Sequence, residues 1–114
     1  MSQRIEKIND LIRDHLSEIF QKEISFKSGL LVTISKVETS SDLSQSRVFV
    51  SVYPKSEENY ALKTLENERK KIKKKLYGKM RTRIFPKIRF EIDEKQEKIS
   101  QIEEVFREIE KERQ

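Results

Sequence analysis

Apolar positions along the chain alternate between helical and strand spacing. Between residues 4 and 22, Ile5, Ile8, Ile12, Leu16, Ile19 and Phe20 recur at intervals of three and four, with His15 on the same side. Arg4, Lys7, Arg13, Asp14 and Glu18 fall mainly on the opposite face. That spacing predicts an amphipathic helix. Ser28-Gly29 ends the segment, since glycine accepts the positive φ of a loop at little cost. From Leu30 to Val37, β-branched residues dominate, and Val32 and Ile34 alternate with Thr33 and Ser35. This is a strand pattern. Ser40-Ser41-Asp42-Leu43-Ser44 is rich in side chains that bond their own backbone in turns. A second strand follows from Arg47 to Tyr53, with Val48, Val50 and Val52 on one face and Phe49, Ser51 and Tyr53 on the other. It is expected antiparallel to the first and ends at Pro54, which cannot donate to a ladder.

Ser56 is placed to cap a further helix, and Glu57 and Glu58 suit the positive end of its dipole. Its apolar residues are Ala61, Leu62 and Leu65, then Ile72, Leu76 and Met80. The six residues from Glu66 to Lys71 between them are all polar. Either the helix bends there, or it leaves the core for one turn and buries only side-chain stems. The spacing leaves both open. Pro86 opens the last core element, in which Ile88, Phe90 and Ile92 alternate with Arg89, Glu91 and Asp93 as in a strand. A long helix separates this strand from the second one, so a right-handed parallel crossover is expected. Residues 95–112 carry Ile99, Ile102, Val105, Phe106 and Ile109 at helical spacing among many charges. They form an expected helical extension, either docked on the domain or partly independent.

The order helix–strand–strand–helix–strand gives an α+β domain, and 114 residues suit one such unit. At 34% apolar and 39% charged, the chain can fill only one thin core, such as a few helices on a small sheet. There is no cysteine, which excludes disulfides and thiolate metal sites. The N-terminus lacks the apolar core of a signal peptide. No segment approaches the run of about 18 apolar residues needed to cross a bilayer. A soluble cytoplasmic protein is expected.

Side chains that carry out chemistry are scarce. His15 is the only histidine and sits on the apolar side of its helix, which fits a structural role and not a zinc site or a triad. Asp42 and its serines lack a partner base and read as a turn. Gly29 and Gly78 are the only glycines, so there is no glycine-rich phosphate loop. The carboxylates Glu103, Glu104, Glu108 and Glu110 read as a solvated face. No catalytic constellation, metal site or cofactor site is expected, and the protein is read as a non-enzyme.

The strong signal is the stretch Arg69–Arg89. It contains Arg69, Lys70, Lys71, Lys73, Lys74, Lys75, Lys79, Arg81, Arg83, Lys87 and Arg89, and no acidic residue. These are eleven of the 25 basic residues; without them 14 basic residues face 20 acidic ones, and the net charge changes from +5 to −6. So much like charge costs self-repulsion, which a polyanion relieves. A solvated, solubilising face is the plainer reading. Against it, no glutamates are interleaved at i, i+4, and the arginines carry the charge past the helix into the loop and strand. All eleven residues are therefore candidate nucleic-acid contacts, made mainly to phosphates. A general nucleic-acid binder and a protein-interaction module are the alternatives.

Two segments, in matching order and spacing, resemble bacterial ribosome-binding factor A. The first is Val37-Glu38-Thr39-Ser40-Ser41-Asp42-Leu43, followed by a small residue, Arg47 and the strand Val48–Val52. The second is Ile72-Lys73, Leu76, Met80-Arg81-Thr82-Arg83, Pro86-Lys87-Ile88-Arg89-Phe90 and Asp93. The likeness covers residues 3–93. It implies a type II KH-like fold: three strands, with helices packed on one side and a kinked second helix, spanning residues 1–94, with residues 95–114 as a charged helical extension. The family marks its kink with a small-residue Ala-x-Gly; here Glu68-Arg69-Lys70 stand at those positions, Lys73 stands for an arginine and Lys87 for a glutamate. The resemblance also implies a monomeric assembly factor linked to growth in the cold. It would bind the immature small (30S) ribosomal subunit, at 16S rRNA near its 3′ end, and assist maturation of that RNA.

Overall fold

The computed structural model describes residues 3–81 and 83–94. The expected extension at residues 95–114 lies outside them. Helix α1 spans Gln3–Glu23, strand β1 Leu31–Thr39 and strand β2 Gln45–Tyr53. A short 3-10 turn at Lys55–Glu57 leads into α2, Glu58–Asn67, then α3, Arg69–Lys79, and β3, Lys87–Ile92. The sheet order is β1-β2-β3, with β1 and β2 antiparallel and β2 and β3 parallel. The expected α+β architecture and strand order are present.

Packing follows the apolar spacing. α1 buries Ile8, Ile12, Leu16, Ile19 and Phe20 against the sheet and α3. The inner face of the sheet supplies Val37, Val48, Val50, Val52, Ile88 and Phe90, and the second helical segment adds Ala61, Leu65, Ile72, Leu76 and Met80. Phe20 meets Phe90 at 5.9 Å between ring centroids. At roughly 25 cal/mol per Å² of apolar surface buried, these side chains form the main cohesive term of the fold.

β1 departs from simple alternation. Its register shifts between Ile34 and Lys36, leaving Ser35 as an extra residue. Such a bulge reverses which side chains face inward beyond it. Val32 and Ile34 face the core before it and Val37 after it, although Val37 has the opposite parity. The Ser35 hydroxyl donates to buried Asp93 Oδ2 at 2.6 Å. Asp93 in turn donates its backbone N–H to Val50 O at 2.9 Å.

Two helical expectations change in detail. Ser56 does not cap a helix: it lies within the 3-10 turn, and α2 begins at Glu58 after Glu57, which makes no side-chain capping bond. Following Pro54, the chain tightens into i→i+3 bonding, with Glu57 N–H bonded to Pro54 O at 3.0 Å. The polar gap at 66–71 contains a true break. Glu68 adopts φ −93°, ψ 6° between α2 and α3. The bonds Glu68 N–H to Thr64 O and Ile72 N–H to Glu68 O persist across it, so the chain bends without reversing.

Candidate nucleic-acid interface

α3 runs antiparallel beside α1 and divides its lysines among three directions. Toward α1, Lys71 Nζ donates to Glu23 O at 3.0 Å, Lys75 lies 3.9 Å from a Glu23 carboxylate oxygen, and Lys79 is 3.2 Å from Glu18 Oε1. These three are one turn apart on a single stripe; carboxylates of α1 partly neutralise Lys75 and Lys79, while Lys71 is held by a main-chain carbonyl. The Glu18 carboxyl is held below the usual glutamate range, first by its bond from Lys22 and then by that from Lys79.

Toward β3, Lys73 lies 5.7 Å over the Tyr77 ring. Arg69, Ile72 and Lys73 form a groove with Lys87, Ile88 and Phe90. Arg69 closes the bend itself: its guanidinium donates to Ile88 O and pairs with Glu66 at 3.3 Å. Tyr77 donates its hydroxyl to Pro86 O at 2.7 Å, and its ring meets Phe85 at 4.9 Å between centroids. Burial raises the Tyr77 pKa, with Arg69 opposing, so the phenol remains a donor across the physiological range. This contact fastens the loop carrying exposed Arg81 and Arg83 to the end of α3.

Away from the core, Lys70 and Lys74 are exposed and have no ion pair among the described residues. With Lys71, Lys75, Gly78 and Lys79 they line a shallow open groove along the outer surface of α3. Arg89 stands apart. It alternates with the inward Ile88 and Phe90, so it lies on the outer face of the sheet, near Glu91 and opposite the helices.

The structure therefore brings Lys70, Lys71, Lys73, Lys74, Lys75 and Lys79 together on α3, with Lys87 across the groove and Arg81 and Arg83 at its far end. It turns Arg69 to structural use and separates Arg89. Sequence reading missed Glu18 and Glu23 as partners of the patch, because Glu18 read only as a polar-face residue of a helix remote in sequence and Glu23 fell just beyond the expected end of that helix.

A protein-family model described as Ribosome-binding factor A matches residues 4–106, which extends past the segment 3–93 that carried the resemblance. A ribosome-binding factor A from Prosthecochloris aestuarii is 38% identical over 111 residues, covering 95% of this chain and 90% of the relative. The crystal structure of ribosome-binding factor A from Thermus thermophilus superposes with a TM-score of 0.68 at 23% identity, covering 77% of this chain and 94% of that one. A homology model of the Thermus thermophilus factor, fitted into a cryo-EM map of a complex of the factor with 30S, aligns with a TM-score of 0.62 at 25% identity, over 73% of this chain and 88% of that one. By sequence over nearly its whole length and by fold, the chain belongs to the ribosome-binding factor A family.

Proposed function

We propose that the protein is an assembly factor for the small ribosomal subunit, in which residues 1–94 form a KH-like RNA-binding domain. It binds immature 30S particles as a monomer and holds 16S rRNA near its 3′ end through the bent basic surface of α3, assisting maturation of that RNA without a chemical step of its own. Two facts support binding to 30S: the chain's family, and the relative fitted into a map of a 30S complex. What carries the role of α3 is its cluster of lysines, of which Lys70 and Lys74 have no carboxylate partner among the described residues. Unpaired ammonium groups on a rigid helix are ready for phosphate oxygens, and counterions released on contact drive the association.

Cosedimentation with small subunits from a sucrose gradient tests the reading, with Lys70→Glu/Lys74→Glu as the variant. The parent protein is expected in the small-subunit fractions and the variant at the top of the gradient. Unchanged comigration of the variant removes α3 as the RNA contact. A parent protein that never comigrates removes the assembly role. Equal competition by duplex DNA and by rRNA fragments shows a general nucleic-acid binder.

A further inference from the structure

Gly78 sits inside α3, one residue before its end, where the fold gives glycine no task. Its φ lies outside the left-handed region, and a Cβ built there meets no atom within 4 Å. The helix end does not require it either, because Met80 follows in an extended conformation, φ −79°, ψ 120°. Gly29, the other glycine, has a φ of +81° and is demanded by its turn. Within a helix, glycine costs roughly 0.8–1.0 kcal/mol relative to alanine. The missing side chain does leave a mark on the surface: Gly78 belongs to the outer groove whose other walls are Lys70, Lys71, Lys74, Lys75 and Lys79. At this position the backbone of α3 is bare, with ammonium groups lying one and two turns toward the N-terminus.

We infer that Gly78 is a close-approach point for a phosphodiester backbone: an RNA strand lies along the outer groove of α3 and packs directly on the helix at Gly78. Lys70 and Lys74, rising about 6 Å per four residues along the axis, hold phosphates preceding that contact. The flanking Lys71, Lys75 and Lys79 remain tied to α1 and form the far wall of the groove. A side chain at this position would project into the groove and hold a sugar-phosphate chain off the helix surface, so the residue sets the fit and the lysines set the charge. This inference rests on the RNA-binding reading above, and it adds a shape requirement that the reading does not contain.

Stability and binding move in opposite directions in the test. Gly78→Ala and Gly78→Leu are compared with Lys74→Ala for binding to a transcript of the 3′ portion of precursor 16S rRNA, over a range of salt concentrations. Gly78→Ala is expected to raise the melting temperature by about 4 °C, as a better helix former in a small domain does. It should nevertheless weaken RNA binding by about tenfold, because the added methyl lifts the sugar-phosphate chain off the helix at its point of closest packing. Gly78→Leu weakens it further, and neither changes the salt slope, since no cation is removed. Lys74→Ala lowers affinity and makes the slope shallower. Wild-type affinity in both Gly78 variants overturns the inference. If Lys74→Ala still weakens binding in that case, the RNA-binding reading stands without it; if Lys70→Glu/Lys74→Glu also binds normally, both fall.

Discussion

Leu43 holds a φ of 63°, the one positive value at a non-glycine among the described residues. The turn around it supplies the reason. Asp42 Oδ1 accepts from the Ser40 and Ser44 hydroxyls, both at 2.7 Å, and from the Ser44 N–H at 3.1 Å. Those bonds lower the Asp42 pKa, Ser44 contributing first and Ser40 next. The Leu43 side chain meanwhile packs against the core. Left-handed backbone costs a residue with a Cβ about 1–2 kcal/mol, so Leu43→Ala keeps the strain while losing the packing. Leu43→Gly is therefore expected to be more stable than Leu43→Ala by about 1 kcal/mol, the reverse of the usual order, as read from urea midpoints. The turn was legible because Ser and Asp cluster there, and the left-handed leucine was not. The same scale explains the missed bulge. Val32 and Ile34 showed one parity, and Val37 broke it, but the partner that holds the extra residue Ser35 is Asp93, which is remote in sequence.

At the level of elements, the bend between α2 and α3 was half legible. Leu65 and Ile72 are seven residues apart and would share a face of a straight helix, so the polar gap admitted both a bend and a snorkelling turn. The structure combines the two: Glu68 breaks the helix, and Arg69 reaches across it to Ile88 O. The pairing of α3 with α1 could not be read, because nothing local to a lysine run shows which carboxylates will face it. In the proposed RNA-binding role, that pairing would make α1 a built-in competitor for the RNA. Glu18→Gln/Glu23→Gln is expected to strengthen RNA binding at low salt and to steepen the log-affinity versus log-salt slope by about 0.7–1.4, as one or two more lysines reach phosphates. A filter-binding titration checks it, and an unchanged slope places Lys75 and Lys79 outside the contact. Acid acts on the same contact. Glu18 has a folded pKa below its ordinary 4.5, so its contribution to stability is complete above that value and is lost as pH falls through the depressed one.

For the whole molecule, topology was the most legible property. One helical pattern, two adjacent strand patterns, a second helical pattern and a third strand leave few arrangements once a long helix precedes the last strand. Charge was legible in amount but not in placement, since the sheet separates Arg89 from the lysines of α3. With about five phosphates engaged, the salt slope for the intact protein is expected between about −3.5 and −4.5. Binding to the folded form alone also stabilises it: a 16S rRNA fragment at a hundred times its dissociation constant adds about 2.7 kcal/mol, visible as a raised melting temperature. No such rise at that concentration means the fragment binds unfolded chain equally well. The parallel pairing of β2 with β3 has a consequence during synthesis. β1 and β2 can meet as a local hairpin, but the strand flanking α3 is made after it, and Lys87 N–H bonds back to Ser44 O at 2.9 Å. Pairings distant in sequence form slowly and late. A nascent chain ending before Ile92 would therefore carry the lysines of α3 without the strand that completes the sheet beneath them, so the basic surface takes its final arrangement only when β3 pairs with β2.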